Sequence, residues 1–219
     1  MTILFSQYWD VIPGKFDDYS SFVSAEYNPT LEELGIKLLG GYYVAVGEGP
    51  RIIAAATVDD HGTLLNALSS EKFRILIAKL RLFVHNYGSR LWVGSGRLKE
   101  GPYSIQMGAW KFNQYYNVVP GMEEEHYRFV KDGCIPGMEA LGVPITQGWR
   151  LAIGSGPRTL AECSARKIED IAGAIDTSEF RRLVRILKKD YATDYSSRIL
   201  APTGRIEVPT MVSEMMRGF

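Results

Sequence analysis

Gly41-Tyr42-Tyr43-Val44-Ala45-Val46-Gly47-Glu48-Gly49-Pro50-Arg51-Ile52 returns in the same chain as Gly148-Trp149-Arg150-Leu151-Ala152-Ile153-Gly154-Ser155-Gly156-Pro157-Arg158-Thr159. In both copies two short apolar runs flank a Gly-x-Gly-Pro-Arg turn. Glycine there admits positive φ and proline fixes its own φ at the reversal, so each copy reads as a β-hairpin. Glycines that cradle phosphates lie between a strand and a helix, a context that a hairpin does not provide.

The two copies stand 107 residues apart, Pro50 against Pro157, and that register runs through the chain. Phe5 meets Phe112, Gln7 meets Gln114, Tyr8 meets Tyr115, Pro13-Gly14 meets Pro120-Gly121, Pro29 meets Pro136, and Leu34-Gly35 meets Leu141-Gly142. Beyond the hairpin, Phe73-Arg74 meets Phe180-Arg181 and Leu80 meets Leu187; one inserted residue then moves the offset to 108, where Tyr87 meets Tyr195 and Arg90 meets Arg198. Prolines and glycines held in step over a whole unit mark an internal duplication.

Phe5 to Val11 and Phe112 to Val118 are aromatic-rich and end at a Pro-Gly turn, as strands do. Phe16, Tyr19, Val23, Tyr27, Leu31 and Leu34 recur at helical spacing, with Pro29 inside the run predicting a kink or a break into two pieces. After the hairpin, Phe73, Leu76, Ile77, Leu80 and Val84 predict a second helix over about 71–86, and Arg90–Val93 and Arg198–Ala201 supply the last strands. The order is β-α-β-β-α-β, the split βαβ or ferredoxin-like unit, written twice. The fold class is therefore α+β, with two ferredoxin-like repeats packed sheet to sheet about a pseudo-twofold axis as an intramolecular barrel. Residues 1–100 form the first repeat, 101–207 the second, and 208–219 a C-terminal arm; the Gly101-Pro102 pair marks the boundary.

Twenty-five basic residues balance twenty-five acidic ones, so no global field recruits nucleic acid or an anionic membrane surface. No apolar run approaches a membrane span, the first residues lack a signal-peptide pattern, and two cysteines make no disulfide framework. A cytoplasmic protein is expected.

The strand ending in Val-x-Pro-Gly, the acidic helix closing on Leu-Gly, the Gly-x-Gly-Pro hairpin and the Phe-Arg helix together resemble the dimeric α+β barrel superfamily, particularly its NIPSNAP-like and EthD-like members. Two ferredoxin-like units usually come from two chains in that group, so this chain looks like a fused dimer. The resemblance implies a range of activities, among them cofactor-independent monooxygenases, haem-degrading enzymes, chlorite dismutase-like haem proteins and lactone isomerases. Haem-degrading members carry an Asn where this chain has Gln7 and Gln114, but their axial His falls on Ile77 and Val184 and their characteristic Trp near Ala67 and Ala174. The resemblance therefore argues against haem, and no cofactor and no metal are expected.

Candidate chemistry lies where the repeats differ. Phe16 and Tyr19 become Glu123 and His126, and Tyr27 becomes Cys134, so an apolar stripe turns polar. Glu123 and His126, three apart, share a helix face and could act as a carboxylate–imidazole pair for proton transfer; alternatively, Glu123 to Glu125 are a solvated acidic first turn. Gln7 and Gln114 share strand faces with Trp9 and Tyr116 and are either structural amides or ligand-orienting groups. Gln7, Trp9, Gln114, Tyr115 and Tyr116 are thus candidate substrate contacts, with His126 and Glu123 the candidate catalytic pair. Arg51, Arg158, Arg97 and Arg205 either clamp a carboxylate or pair locally. His61 in a polar loop and His85 off the helix stripe are expected at the surface.

Two functions fit. One is a cofactor-independent monooxygenase or isomerase acting on a small aromatic or polyketide-like molecule; the other is a non-catalytic module for ligand binding or assembly. The expected partner is a small hydrophobic or aromatic ligand, with neither nucleic acid nor membrane, and a homo-oligomer is left open.

Overall fold

Period-two alternation in β1 (Ile3–Val11) buries Phe5, Gln7 and Trp9 on one face and Leu4 on the other, so the strand has two apolar faces to cover. A computed structural model, which describes residues 3–96, 103 and 108–203, shows how. The eight strands are β1, β2 (Lys37–Val46), β3 (Ile52–Val58), β4 (Val84–Gly94), β5 (Trp110–Val118), β6 (Ile145–Ile153), β7 (Thr159–Ala165) and β8 (Ala192–Pro202). They close into one barrel in the order β1-β3-β2-β8-β5-β7-β6-β4. Each repeat keeps the ferredoxin-like order, and the two sheets join at two seams. At one, Tyr42 to Val46 pair with Ile199 to Pro202; at the other, Leu91 to Gly94 pair with Trp149 to Ile153.

Every neighbouring pair is antiparallel, so β1, β2, β5 and β6 point the same way. Both hairpin tips therefore rim the same mouth, and the pseudo-twofold axis runs along the barrel. Helices cover the outside. Phe5, Trp9, Leu76 and Leu80 centre the core under the first repeat's helices, while Leu4, Tyr42, Trp92, Tyr115 and Trp149 fill the barrel.

The prolines break the first helix of each repeat as expected. α1 (Phe16–Phe22) passes through a π-turn, Val23–Tyr27, into α2 (Asn28–Glu33), and α5 (Glu123–Phe129) through Val130–Cys134 into α6 (Ile135–Ala140). Proline has no N–H for the carbonyl four residues back, and the wider turn carries the chain past that missing bond.

The second helix departs from expectation. Instead of one helix over 71–86 there are α3 (His61–Ser69) and α4 (Glu71–Leu80), and the last strand already begins at Val84. Asp60 caps α3 through Thr63 N at 2.9 Å, but only Leu64 and Ala67 of α3 are buried, too few for a period to show. Val84 prolongs the apolar stripe of α4 by spacing alone and is buried from a strand. His61 and His85 are exposed, the first on α3 and the second on β4. In the second repeat α7 (Ile168–Ile175) is followed by α8 (Ser178–Ile186) and a π-turn, Leu187–Tyr191, which takes up the inserted residue before β8. Ser70 and Thr177 cap α4 and α8 alike, each accepting the amide N–H three residues on at 3.1 Å.

The linker other than Tyr103, the residues 208–219 and the pair Arg97 and Arg205 lie outside the described residues. No helix among the described residues is long and apolar enough to cross a membrane.

Candidate functional site

The same register position is built differently in the two repeats. In the first, Trp9 on β1 donates its indole N–H to Tyr19 on α1 at 3.0 Å, sets its ring edge-on to Tyr27 and stacks on Tyr87. Phe16 packs beside Tyr19, so the space between α1 and the sheet is filled with rings. In the second, Tyr116 replaces Trp9, His126 replaces Tyr19, Glu123 replaces Phe16 and Cys134 replaces Tyr27. One hydrogen bond survives the exchange: the Tyr116 hydroxyl lies 3.0 Å from His126 Nε2, with the two rings edge-to-face. Each replacement is smaller than the residue it replaces. A cavity of about 240 Å³ results beneath α5, lined by Tyr116, Val118, Glu123, His126, Arg150 and Thr159 among others.

Burial lowers the His126 imidazole to about 4, so it is neutral at pH 7. Burial drives the Tyr116 hydroxyl the other way, well above the usual phenol value. The pair is thus uncharged, and its tautomer sets its chemistry. If Nε2 carries the proton and donates to Tyr116, Nδ1 keeps a free lone pair for a substrate proton; in the other tautomer Tyr116 donates and Nδ1–H is the donor. Glu123 stands exposed at the cavity rim, and among the described residues no hydrogen bond or ion pair joins it to His126.

The remaining sequence candidates do not converge there. Gln114 accepts a hydrogen bond from Tyr195 at 2.9 Å and lines, with Cys134, a void of about 20 Å³ that shares Tyr116, Val130 and Ala161 with the larger cavity. Gln7 is held in the same way by Tyr87 at 2.7 Å and, with Trp9, lies in the packed core of the first repeat. Tyr115 points to the opposite face of the sheet, into the barrel, under the Arg198 guanidinium. Arg51 bonds the carbonyls of Val44 and Gly47 in its own hairpin. Ile77 and Val184, where the resemblance would place an axial His, pack against apolar neighbours. Among the described residues no three His, Cys, Asp or Glu side chains gather where they could share a metal ion.

Sequence reading missed the charges inside the barrel. Lys111 and Glu162, each side chain 3% exposed, form an ion pair at 2.8 Å in the places that Leu4 and Ala55 hold in the first repeat. Tyr103 from the inter-repeat linker donates its hydroxyl to Glu162 and accepts from Lys111 at 3.1 Å, while its ring meets Trp149 edge-on. The Lys111 ammonium also lies 4.8 Å from the centre of the Tyr42 ring. The 107-residue register held the signal, since both exchanges turn an apolar residue into an ion on the strand face that looks away from the helices.

The hairpin glycines have a local reason too. Gly49 and Gly156 adopt φ of +95° and +102°, and a Cβ on either would lie 2.6 or 2.9 Å from a guanidinium nitrogen of Arg198 or Arg90 respectively. Each repeat's hairpin thus seats the last-strand arginine of the other repeat.

No family model and no curated protein matches the chain. Solved structures do match its fold over nearly its full length. A protein of Fusobacterium nucleatum described as a "putative monooxygenase" is 13% identical, with a TM-score of 0.61 over 92% of both chains. A mutant chlorite dismutase from Candidatus Nitrospira defluvii is 10% identical, with a TM-score of 0.61 over 99% of this chain and 94% of that one. An anthrone oxidase-like protein is 10% identical, with a TM-score of 0.59 over 92% of this chain and 90% of its own. Likeness at this level of identity establishes the fold, an α+β barrel closed within one chain, and leaves activity to the site.

Proposed function

We propose that this α+β barrel is a NIPSNAP-like or EthD-like protein whose second repeat admits a small aromatic or polyketide-like molecule beneath α5 and converts it without a cofactor, as a monooxygenase or isomerase. The observation that carries the reading is the coordinated exchange of Trp9, Phe16 and Tyr19 for Tyr116, Glu123 and His126. A cavity of about 240 Å³ lies there, lined in part by a neutral imidazole. A small ring fits that scale and the mixed apolar and polar wall suits it.

His126 takes a proton from an activated C–H or phenol at Nδ1, held in the required tautomer by donating Nε2–H to Tyr116. Glu123 at the rim stabilises the imidazolium that forms. Returning the proton to another carbon completes an isomerisation. With O2 as co-reactant, the carbanion instead surrenders electrons, and a CH2 plus O2 becomes C=O plus H2O. The monooxygenase and anthrone oxidase-like descriptions of two fold neighbours favour the second course.

A panel of anthrones and hydroxyaromatics, screened for binding by tryptophan fluorescence and for turnover by oxygen uptake and product analysis, tests this. His126→Gln should keep binding and lose about 10²–10⁴-fold in turnover, the usual contribution of a general base. Tyr116→Trp with His126→Tyr, which rebuilds the first repeat's packing, should lose both. Equal turnover by His126→Gln refutes the catalytic role; saturable binding with no turnover in the parent protein leaves the non-catalytic ligand-binding module.

A further inference from the structure

We propose that the barrel interior holds a small monovalent inorganic anion, of chloride or nitrate size, on the pseudo-twofold axis between Arg90 and Arg198. The two arginines are register equivalents on β4 and β8, paired across the sheet with Ser6 and Asn113 respectively. Both line one interior cavity. Each guanidinium lies over a tyrosine, Arg90 over Tyr8 at 5.1 Å and Arg198 over Tyr115 at 5.3 Å, and leans on the glycines of the opposite hairpin. Both fields reach the buried Tyr115 hydroxyl, where they oppose the upward push of burial.

The charges in this space do not cancel. Glu162 is engaged by Lys111 and Tyr103, and among the described residues neither Arg90 nor Arg198 has a carboxylate partner. Among the described residues the buried Arg90 Nε–H has no hydrogen-bond acceptor. Two like charges that line one cavity repel, and a buried guanidinium N–H without an acceptor adds its desolvation cost.

The remaining polar groups are donors as well. Ser6 Oγ accepts from Trp92 Nε1 at 3.0 Å, which leaves its own O–H free to donate. Asn113, 5% exposed, has an Oδ1 without a partner among the described residues while its Nδ2 makes a 3.3 Å contact to the Tyr115 oxygen. Turning that amide over gives the Tyr115 O–H an acceptor and aims the NH2 group inward. A ring of N–H and O–H donors around surplus positive charge is the complement of an anion. The free space, about 30 Å³ open to water centres, holds one or two water-sized bodies, so the occupant is monatomic or a small planar oxyanion and not a phosphate ester. The site lies on the opposite face of the sheet from the cavity beneath α5, so its failure would leave the proposed function standing.

Thermal unfolding in sodium chloride or sodium bromide, against sodium gluconate at equal ionic strength, reads the site directly. The halides should raise the midpoint saturably and gluconate should not. Crystals grown with bromide should show one anomalous peak per chain within hydrogen-bond distance of both guanidiniums. Arg198→Gln should weaken halide binding by about tenfold or more, the value of one charged hydrogen bond. Asn113→Asp places a carboxylate beside the arginines in place of the anion. It should abolish the halide dependence and hold the midpoint in gluconate at the level of the halide-saturated parent, which keeps the test alive if Arg198→Gln does not fold. Equal midpoints of the parent in chloride and gluconate, or bromide found only on the surface, overturn the proposal.

Discussion

Replacing Lys111 and Glu162 by the residues that the first repeat carries at those places, Leu4 and Ala55, separates a buried charge pair from the packing around it. The two charged atoms lie 2.8 Å apart with each side chain 3% exposed, where burial pulls the Lys111 ammonium below its usual value and Glu162 pulls it back. Attraction at that depth roughly offsets the desolvation of both ions, so the pair contributes little net stability, but either member alone is expensive. Lys111→Leu and Glu162→Ala should each cost about 3–5 kcal/mol. At 2–4 °C per kcal/mol for a chain of this size, that is a fall in Tm of roughly 6–20 °C. The double variant loses the pair but leaves the Tyr103 hydroxyl buried without its two partners, at about 1–3 kcal/mol. It should lie about 1–3 kcal/mol below the parent, and adding Tyr103→Phe should bring it back to within about 1 kcal/mol of the parent. Urea denaturation followed by tryptophan fluorescence measures all four. If the two single losses simply add in the double variant, the ion pair is not coupled and the reasoning fails.

Other positions offer narrower tests. Unfolded His126 takes a proton near pH 6.5 and folded His126 only near pH 4, so in that window the unfolded chain binds more protons and stability is lost as the pH is lowered from 6.5 to 4. Allowing for solvent at the half-buried ring, the loss is about 1–2 kcal/mol, and His126→Phe should flatten it in urea titrations across the window. At the bulge before each helix, Asp10 accepts from Asn86 at 2.9 Å in one repeat, while Asn117 donates to Asp194 at 2.8 Å in the other. The exchanged pair Asp10→Asn with Asn86→Asp should therefore be near neutral, and Asp10→Ala, which also frees the Arg51 amide, should cost about 1–2 kcal/mol by chemical denaturation. Gly49→Ala forces a Cβ into φ +95° and onto Arg198, and should lower stability by about 1–3 kcal/mol. Adding Arg198→Ala should recover the steric part and not the backbone strain; complete recovery would show that strain is absent.

Much was legible in the sequence because it is written in local periods. The 107-residue register exposed the duplication, alternation placed Gln7 and Gln114 on the helix-facing side of their strands, and Pro29 and Pro136 marked the breaks in the helices. The exchange of Phe16, Tyr19 and Tyr27 for smaller side chains pointed to α5, beneath which a cavity opens. That Gln114 is held by Tyr195, and that α3 precedes α4, depended on packing between distant segments. Closure decided the rest. Leu4, Ala55 and their counterparts Lys111 and Glu162 sit on the face that looks away from the helices, and its environment is set by the two seams between repeats. A strand's own sequence fixes which residues share a face, but the charge that a face meets comes from strands and a linker tens of residues away. Lys111 and Glu162 meet on the paired strands β5 and β7 of one repeat and Tyr103 reaches them from the linker, whereas only the closed barrel sets Arg90 and Arg198 in one cavity.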